Sequence, residues 1–146
     1  MSSLKYKRVL LKLSGEALIG TKEYGIDDSF ISDLAAQLSH IHKSNIQLII
    51  VIGGGNFFRG SDLEKLGIQR VTADHMGMLA TVINSLALQS SIEKLDIECR
   101  VMSSITIDAV CEKYIKRKAE RHLEKNRVVV LAAGTGNPFF TTDSAA

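Results

Sequence analysis

Gln47–Gly60 reads QLIIVIGGGNFFRG, and its reading decides the fold. Leu48, Ile49, Ile50, Val51 and Ile52 pass without a polar break into three glycines, then Asn56, Phe57, Phe58 and Arg59. A strand buried on both faces reads as a continuous apolar run of this kind. A glycine triplet at its end permits positive φ and lets a ligand approach main-chain N–H groups. In open α/β sheets, ligands sit beyond the carboxyl ends of the strands. The stretch therefore predicts a central parallel strand that delivers an anion-binding loop, with Arg59 supplying positive charge.

Upstream, Asp27 or Asp28 is placed to cap a helix running to about Lys43. Ile31, Leu34, Ala35, Leu38 and Ile41 fall on one of its faces, and His40, His42 and Lys43 suit its negative end. Arg8–Leu13 (RVLLKL) is a first strand, so strand, helix and strand make a βαβ unit. Lys12 near the end of that strand has two readings. It is an edge lysine whose stem lies along apolar surface, or a phosphate-binding lysine backed by Ser14 and Gly15. Gly20–Asp27 is a polar loop.

Downstream, Ser61–Val71 reads as a short helix or lid-like loop. A long helix follows from about Thr72, its expected cap, to Lys94. Its apolar positions (Met76, Met78, Leu79, Val82, Ile83, Leu86, Ala87, Leu88) are wider than one stripe, which predicts a subunit interface as well as core. Glu98–Ser103 is a third strand, and the second half of Thr106–Asn126 is a solvated helix. Arg127–Ala133 (RVVVLAA) is a fourth strand. It feeds Gly134-Thr135-Gly136-Asn137-Pro138-Phe139-Phe140, after which Thr141, Thr142 and Asp143 read as the cap of a new helix.

The 146 residues suffice for one domain with a real core, and 45% hydrophobic against 23% charged content is that of a globular chain. A net charge of +2 is too small to argue for nucleic acid or an anionic membrane surface. No apolar run is long enough to span a bilayer, and the apolar run near the N-terminus is short and broken by Lys12, unlike a signal peptide. Cys99 and Cys111 form no CxxC pair and are read as reduced thiols of a cytoplasmic protein. His40, His42, His75 and His122 show no ligand spacing.

Three predicted strands end in glycine- or hydroxyl-rich loops: Lys12–Gly15, Gly53–Gly60 and Gly134–Asp143. A parallel sheet brings these ends to one edge, where backbone donors, two cations and a helix N-terminus make a phosphate site. No GxxxxGK[ST] occurs, and the near-match to GxGxxG at Gly134 has Phe139 at its last glycine position, so neither a P-loop nor a dinucleotide fold is indicated.

VLLKLSGEAL (Val9–Leu18), VIGGGNFFRG (Val51–Gly60), DHMGMLAT (Asp74–Thr81) and AGTGNPFFTTDSAA (Ala133–Ala146) resemble the bacterial-type uridylate kinases of the amino acid kinase superfamily. The first two motifs are shared across the superfamily, and the last two are specific to the UMP enzymes. The resemblance implies an α/β three-layer sandwich with a mainly parallel central sheet. It implies phosphoryl transfer from ATP, with Mg²⁺, to UMP in pyrimidine nucleotide biosynthesis. Residues 1–146 would be the N-terminal, UMP-binding lobe.

Carried over by that resemblance, Lys12, Leu13, Ser14, Gly15 and Gly55 face the ATP phosphates, and Gly54 approaches the UMP phosphate. Arg59 lies between donor and acceptor, so Lys12 and Arg59 are the expected catalytic residues. Asp74 accepts hydrogen bonds from the UMP ribose. Thr135, Gly136, Asn137, Pro138, Phe139, Phe140, Thr141 and Thr142 wrap the uracil and end at the UMP phosphate, with Phe139 and Phe140 read either as core or as pocket wall. A phosphate oxygen is already an anionic nucleophile, so the chemistry rests on alignment and charge neutralisation.

Family members continue into a lobe holding the ATP base and a further aspartate. A chain ending at Ala146 is expected to lack it and to be inactive alone. The resemblance also implies a hexamer with GTP as activator. Gly20, Thr21, Lys22, Glu23, Tyr24, Gly25 and Arg100 match positions implicated there, but Gln89 and Glu93 thin the cationic cluster. The alternatives are a non-catalytic UMP-binding remnant or assembly subunit, and another amino acid kinase acting on a carboxylate or carbamate.

Overall fold

The structure is a computed structural model that describes residues 3–58 and 60–146. Strands β1 (Arg8–Leu13), β2 (Gln47–Ile52), β3 (Cys99–Ser103), β4 (Glu112–Lys113) and β5 (Val128–Ala132) form one sheet in the order β1-β2-β5-β3-β4. Every pairing is parallel. Helices α1 (Asp28–His42), α2 (Gly60–Lys65), α3 (Arg70–Glu93), α4 (Lys116–Glu124) and α5 (Thr142–Ala145) complete the elements, with a 3-10 turn at Gly15–Ile19.

Alternation along β2 divides the core. Leu48, Ile50 and Ile52 join Ile31, Ala35 and Leu38 of α1 and Met78, Val82 and Leu88 of α3 on one face. On the other, Met102 and Val129 meet Ala119 and Leu123 of α4, with Ile49 against them. The expected three layers are present, with β2 between β1 and β5 and its apolar run buried on both sides. Asp27 starts α1 as expected: its carboxylate accepts the Phe30 N–H at 3.0 Å. Bonds from the Thr21 N–H and hydroxyl also stabilise the ionised form; with that from Phe30, the largest cause, they hold its pKa below the usual carboxylate range.

Several expectations are corrected or refined. β1 takes an edge position that its apolar run alone did not specify, with Arg8, Leu10 and Lys12 exposed on one of its faces. α3 starts at Arg70 after Gln69, so Thr72 lies inside it and is not its cap. The polar stretch before it takes the first of its two expected forms, a short helix, α2. β4 was not foreseen: two charged residues carry no alternation to read. Nor was the turn at Gly15–Ile19, which buries Leu18 against the core.

Candidate active site

The carboxyl ends of β1, β2 and β5 meet at one edge. The Gly53 N–H donates to the Leu13 carbonyl at 3.0 Å, joining the first two loops. Gly15 lies so close to the second loop that a Cβ there would come 2.6 Å from the Gly53 carbonyl carbon and 2.8 Å from the Gly55 nitrogen. Gly54 meets α3 as tightly: a Cβ would lie 2.9 Å from both Ala80 Cβ and the Gly77 carbonyl oxygen. Glycine is the residue that allows these approaches.

Amides lock the glycine loop. Asn84 of α3 donates to the Gly53 carbonyl at 2.7 Å and exchanges side-chain bonds with Asn56 at 2.7 and 2.9 Å. Asn56 also reaches the Gly25 carbonyl at 3.0 Å, while the Gly25 N–H returns to the Asn56 carbonyl. The Gly20–Gly25 loop is thereby anchored to the same rim. Asn84 and Asn56 are 0% and 2% exposed, so every one of these groups is paired where water cannot substitute.

The third loop is held by hydroxyls. Ala133 has φ of 67°, a left-handed conformation costly for alanine. Its N–H donates to Thr81 Oγ1 at 2.7 Å and its carbonyl accepts from Ser104 Oγ at 3.0 Å. Thr81 in turn donates to the Met78 carbonyl at 2.6 Å. A residue held this way at the end of a strand, beside a cleft, is a strained backbone over-determined by its surroundings.

Between the second and third loops and α3 lies a cleft of about 530 Å³. Gly54, Gly55, Asp74, Gly77, Thr135, Phe140 and Thr141 are among its walls. Asp74 accepts the Phe139 N–H at 2.7 Å and the Arg70 Nε–H at 3.4 Å. Phe139 and Phe140 are 63% and 60% exposed, so neither is core; Phe140 walls the cleft, and the Phe139 ring lies under Arg70.

The structure thus gathers Gly54, Gly55, Asp74, Thr135, Phe140 and Thr141 around one space, with Gly136, Asn137, Pro138 and Phe139 in the connecting loop and Thr142 opening α5. Lys12, Leu13, Ser14 and Gly15 do not line the cleft. They stand across the glycine loop, where Gly55 faces Glu16. Arg59, expected between the two sides, lies outside the described residues. Arg100 is elsewhere: level with Val129 and Ile49 in the register, it has carboxylate oxygens of Glu93, Glu98 and Glu112 at 3.9, 3.7 and 4.0 Å. It is not gathered with Gly20–Gly25.

Asn56, Thr81, Asn84, Ser104 and Arg70 were not singled out from sequence as site residues. One signal existed: Thr81, Asn84 and Ser85 continue the Met78–Leu88 stripe of α3, a polar patch on a core-facing surface. Cys99 is fully buried and its thiol is pushed up to about 12 by that burial, the state of an inert structural cysteine. No helix among the described residues is long and apolar enough to cross a membrane.

Residues 7–146 match the model of the amino acid kinase family. The chain is 59% identical over 146 residues to the uridylate kinase of Xanthomonas axonopodis pv. citri, covering 100% of itself and 61% of that protein. It is 54% identical over 142 residues to the uridylate kinase of Dichelobacter nodosus, covering 97% of itself and 59% of that protein. The crystal structure of UMP kinase from Bacillus anthracis superposes with a TM-score of 0.90 at 44% identity, over 94% of this chain and 57% of that one. That of UMP kinase from Ureaplasma parvum gives 0.91 at 39%, over 97% and 60%. The chain spans less than two thirds of the length of each of these relatives.

Proposed function

The chain belongs to the amino acid kinase family, and from that premise we propose that it carries the UMP-binding part of a uridylate kinase, transferring a phosphoryl group from ATP to UMP. The observation that carries this reading is the single cleft walled by Gly54, Asp74, Thr135 and Thr141. A nucleotide needs backbone donors for its phosphate, a carboxylate acceptor for ribose hydroxyls, and hydrogen-bonding groups with an apolar wall for its base. In this reading Gly54 takes the phosphate end, Asp74 the ribose, and Thr135 with Phe140 the base.

The glycine loop divides the site. Its Gly54 side faces the acceptor cleft. Gly55 lines that cleft too and also meets Glu16 of the turn after β1, beside which Lys12, Leu13, Ser14 and Gly15 would meet the ATP phosphates. Lys12 would neutralise charge and Arg59 would bridge donor and acceptor, so that alignment and electrostatics carry the transfer. Mg²⁺ would arrive with ATP as part of that substrate, held largely by phosphate oxygens.

The same reading makes the protein cytoplasmic and homo-oligomeric. Leu79 and Ile83, one turn apart on the outer side of α3, are each 49% exposed and suit a subunit contact. Arg100, already among three carboxylates, is poorly disposed to hold a GTP phosphate.

Isothermal titration of the full chain tests the acceptor half. UMP should bind saturably and Asp74→Asn should weaken it about tenfold, the loss of a charge-assisted acceptor. Saturable binding of an amino acid or carbamate without UMP binding would overturn the reading in favour of another kinase of the family.

A further inference from the structure

Arg70, Asp74 and Phe139 form a closed triangle at the mouth of the cleft. The Arg70 guanidinium carbon stands 5.2 Å from the centre of the Phe139 ring. Its Nε donates to Asp74 Oδ1 at 3.4 Å, and Asp74 Oδ2 accepts the Phe139 N–H at 2.7 Å. Phe139 has φ of 68° and is 63% exposed. A phenylalanine in left-handed backbone, with most of its ring in solvent, is not held by the core; the triangle holds it. Phe139 is continuous with Phe140 and Thr141, which wall the cleft, so whatever fixes Phe139 fixes that wall.

We propose that Arg70 is a positioning residue. It pins the 137–141 segment to the first turn of α3 by covering the Phe139 ring and steadying the carboxylate that receives the Phe139 amide, so that the cleft is formed before a ligand arrives. The ligand concerned rests on the nucleotide reading above; the pinning does not. Arginine suits the task because its flat guanidinium can lie on a ring while its Nε–H reaches a carboxylate. Exposed ion pairs and cation–π contacts are individually weak, so the role is to select a geometry rather than to hold the fold.

Amide hydrogen exchange of the ligand-free full chain, followed by NMR, tests this. The Phe139 N–H should be protected in the parent, and Arg70→Ala should speed its exchange about fivefold or more while leaving core amides unchanged, the mark of local opening. UMP titrations of R70A, F139A and the double variant then separate positioning from simple loss of a contact. Each single change should raise the dissociation constant about three- to tenfold, and the pair by no more than the larger of the two, since both break one device. Unchanged exchange at Phe139 in R70A, or additive effects in the double variant, would overturn the proposal. A parent chain that binds no UMP but shows the protected amide and its loss in R70A overturns the nucleotide reading and upholds the pinning.

Discussion

The rim of glycine loops and the β3–β4 side of the sheet are both polar, and they are built on opposite principles. At the rim, Asn84, Asn56, Thr81 and the backbone of Gly53, Gly25 and Ala133 are joined by short bonds among uncharged groups, buried except at half-buried Gly53. On the β3–β4 side the groups are partly exposed and, His122 apart, charged: Arg100 touches Glu98 and Glu112, Arg127 bonds Glu98 and His122, and His122 bonds Glu112. A guanidinium only donates, so His122 accepts from Arg127 at Nδ1 and gives its Nε2 proton to Glu112. The amide network has one workable arrangement, and a lost bond leaves an unpaired buried group. The charged ring can exchange partners with water. Rigidity is therefore concentrated at the rim of the cleft.

The strongest way to break that contrast is to push the rim apart. Gly15→Ala places a Cβ against main chain of Gly53 and Gly55, which cannot swing aside. Overpacking of this kind should cost about 3 kcal/mol and lower the melting temperature by roughly 6–12 °C. Gly77→Ala is the matched control. It lies on the cleft side of α3, where an added Cβ meets nothing within 4 Å. It should stabilise the helix by about 0.5–1 kcal/mol while narrowing the cleft. Thermal melts that placed the two variants together would show that the rim is not the tight element described.

A smaller break removes the lock and leaves the glycines alone. Asn84→Ala strips partners from the Gly53 carbonyl and both ends of the Asn56 amide. The expected loss is about 2 kcal/mol in urea unfolding. Asn56→Ala should cost a similar amount, and the pair less than the sum by about 1 kcal/mol, because the second change finds its partner already gone. Strict additivity would mean that the two amides act separately.

How much of this was legible follows the same division. The β2 run, the α1 periodicity with its Asp27 cap and the glycine loops are local patterns, and a parallel sheet requires the loops to share an edge; the fold and the meeting of those loops were readable on that basis. What escaped depended on partners distant in sequence. Asn84 looks like a polar residue in a helix until Gly53 and Asn56 are beside it. Phe139 and Phe140 could be core or wall until the sheet is placed. The start of α3 was misjudged because Thr72 has the right side chain, whereas Gln69 occupies the cap position with no side-chain bond. Two-residue β4 exists only because β3 offers it a free edge.

The least effect belongs to the charged ring. The Arg127 hydrogen bond and charge hold the Glu98 carboxyl below its usual range, with Arg100 and Lys125 adding to the pull. A depressed folded-state pKa stabilises the protein above the unfolded value, and the contribution disappears as pH falls through the folded one. Arg127→Gln should therefore move the Glu98 titration upward, seen by carbon NMR of its carboxyl. Melting at neutral pH should change by no more than about 2 °C, as expected of an exposed pair. The gap to the parent should close as the solution is acidified through the region where Glu98 takes up its proton. A melting loss as large as that of Gly15→Ala would place this side of the sheet among the rigid parts and erase the distinction. An unmoved Glu98 titration would mean that Arg127 is not what holds the carboxylate ionised. The expected outcome, a displaced titration with nearly unchanged stability, is what separates charges that tune a surface from amides that fix a site.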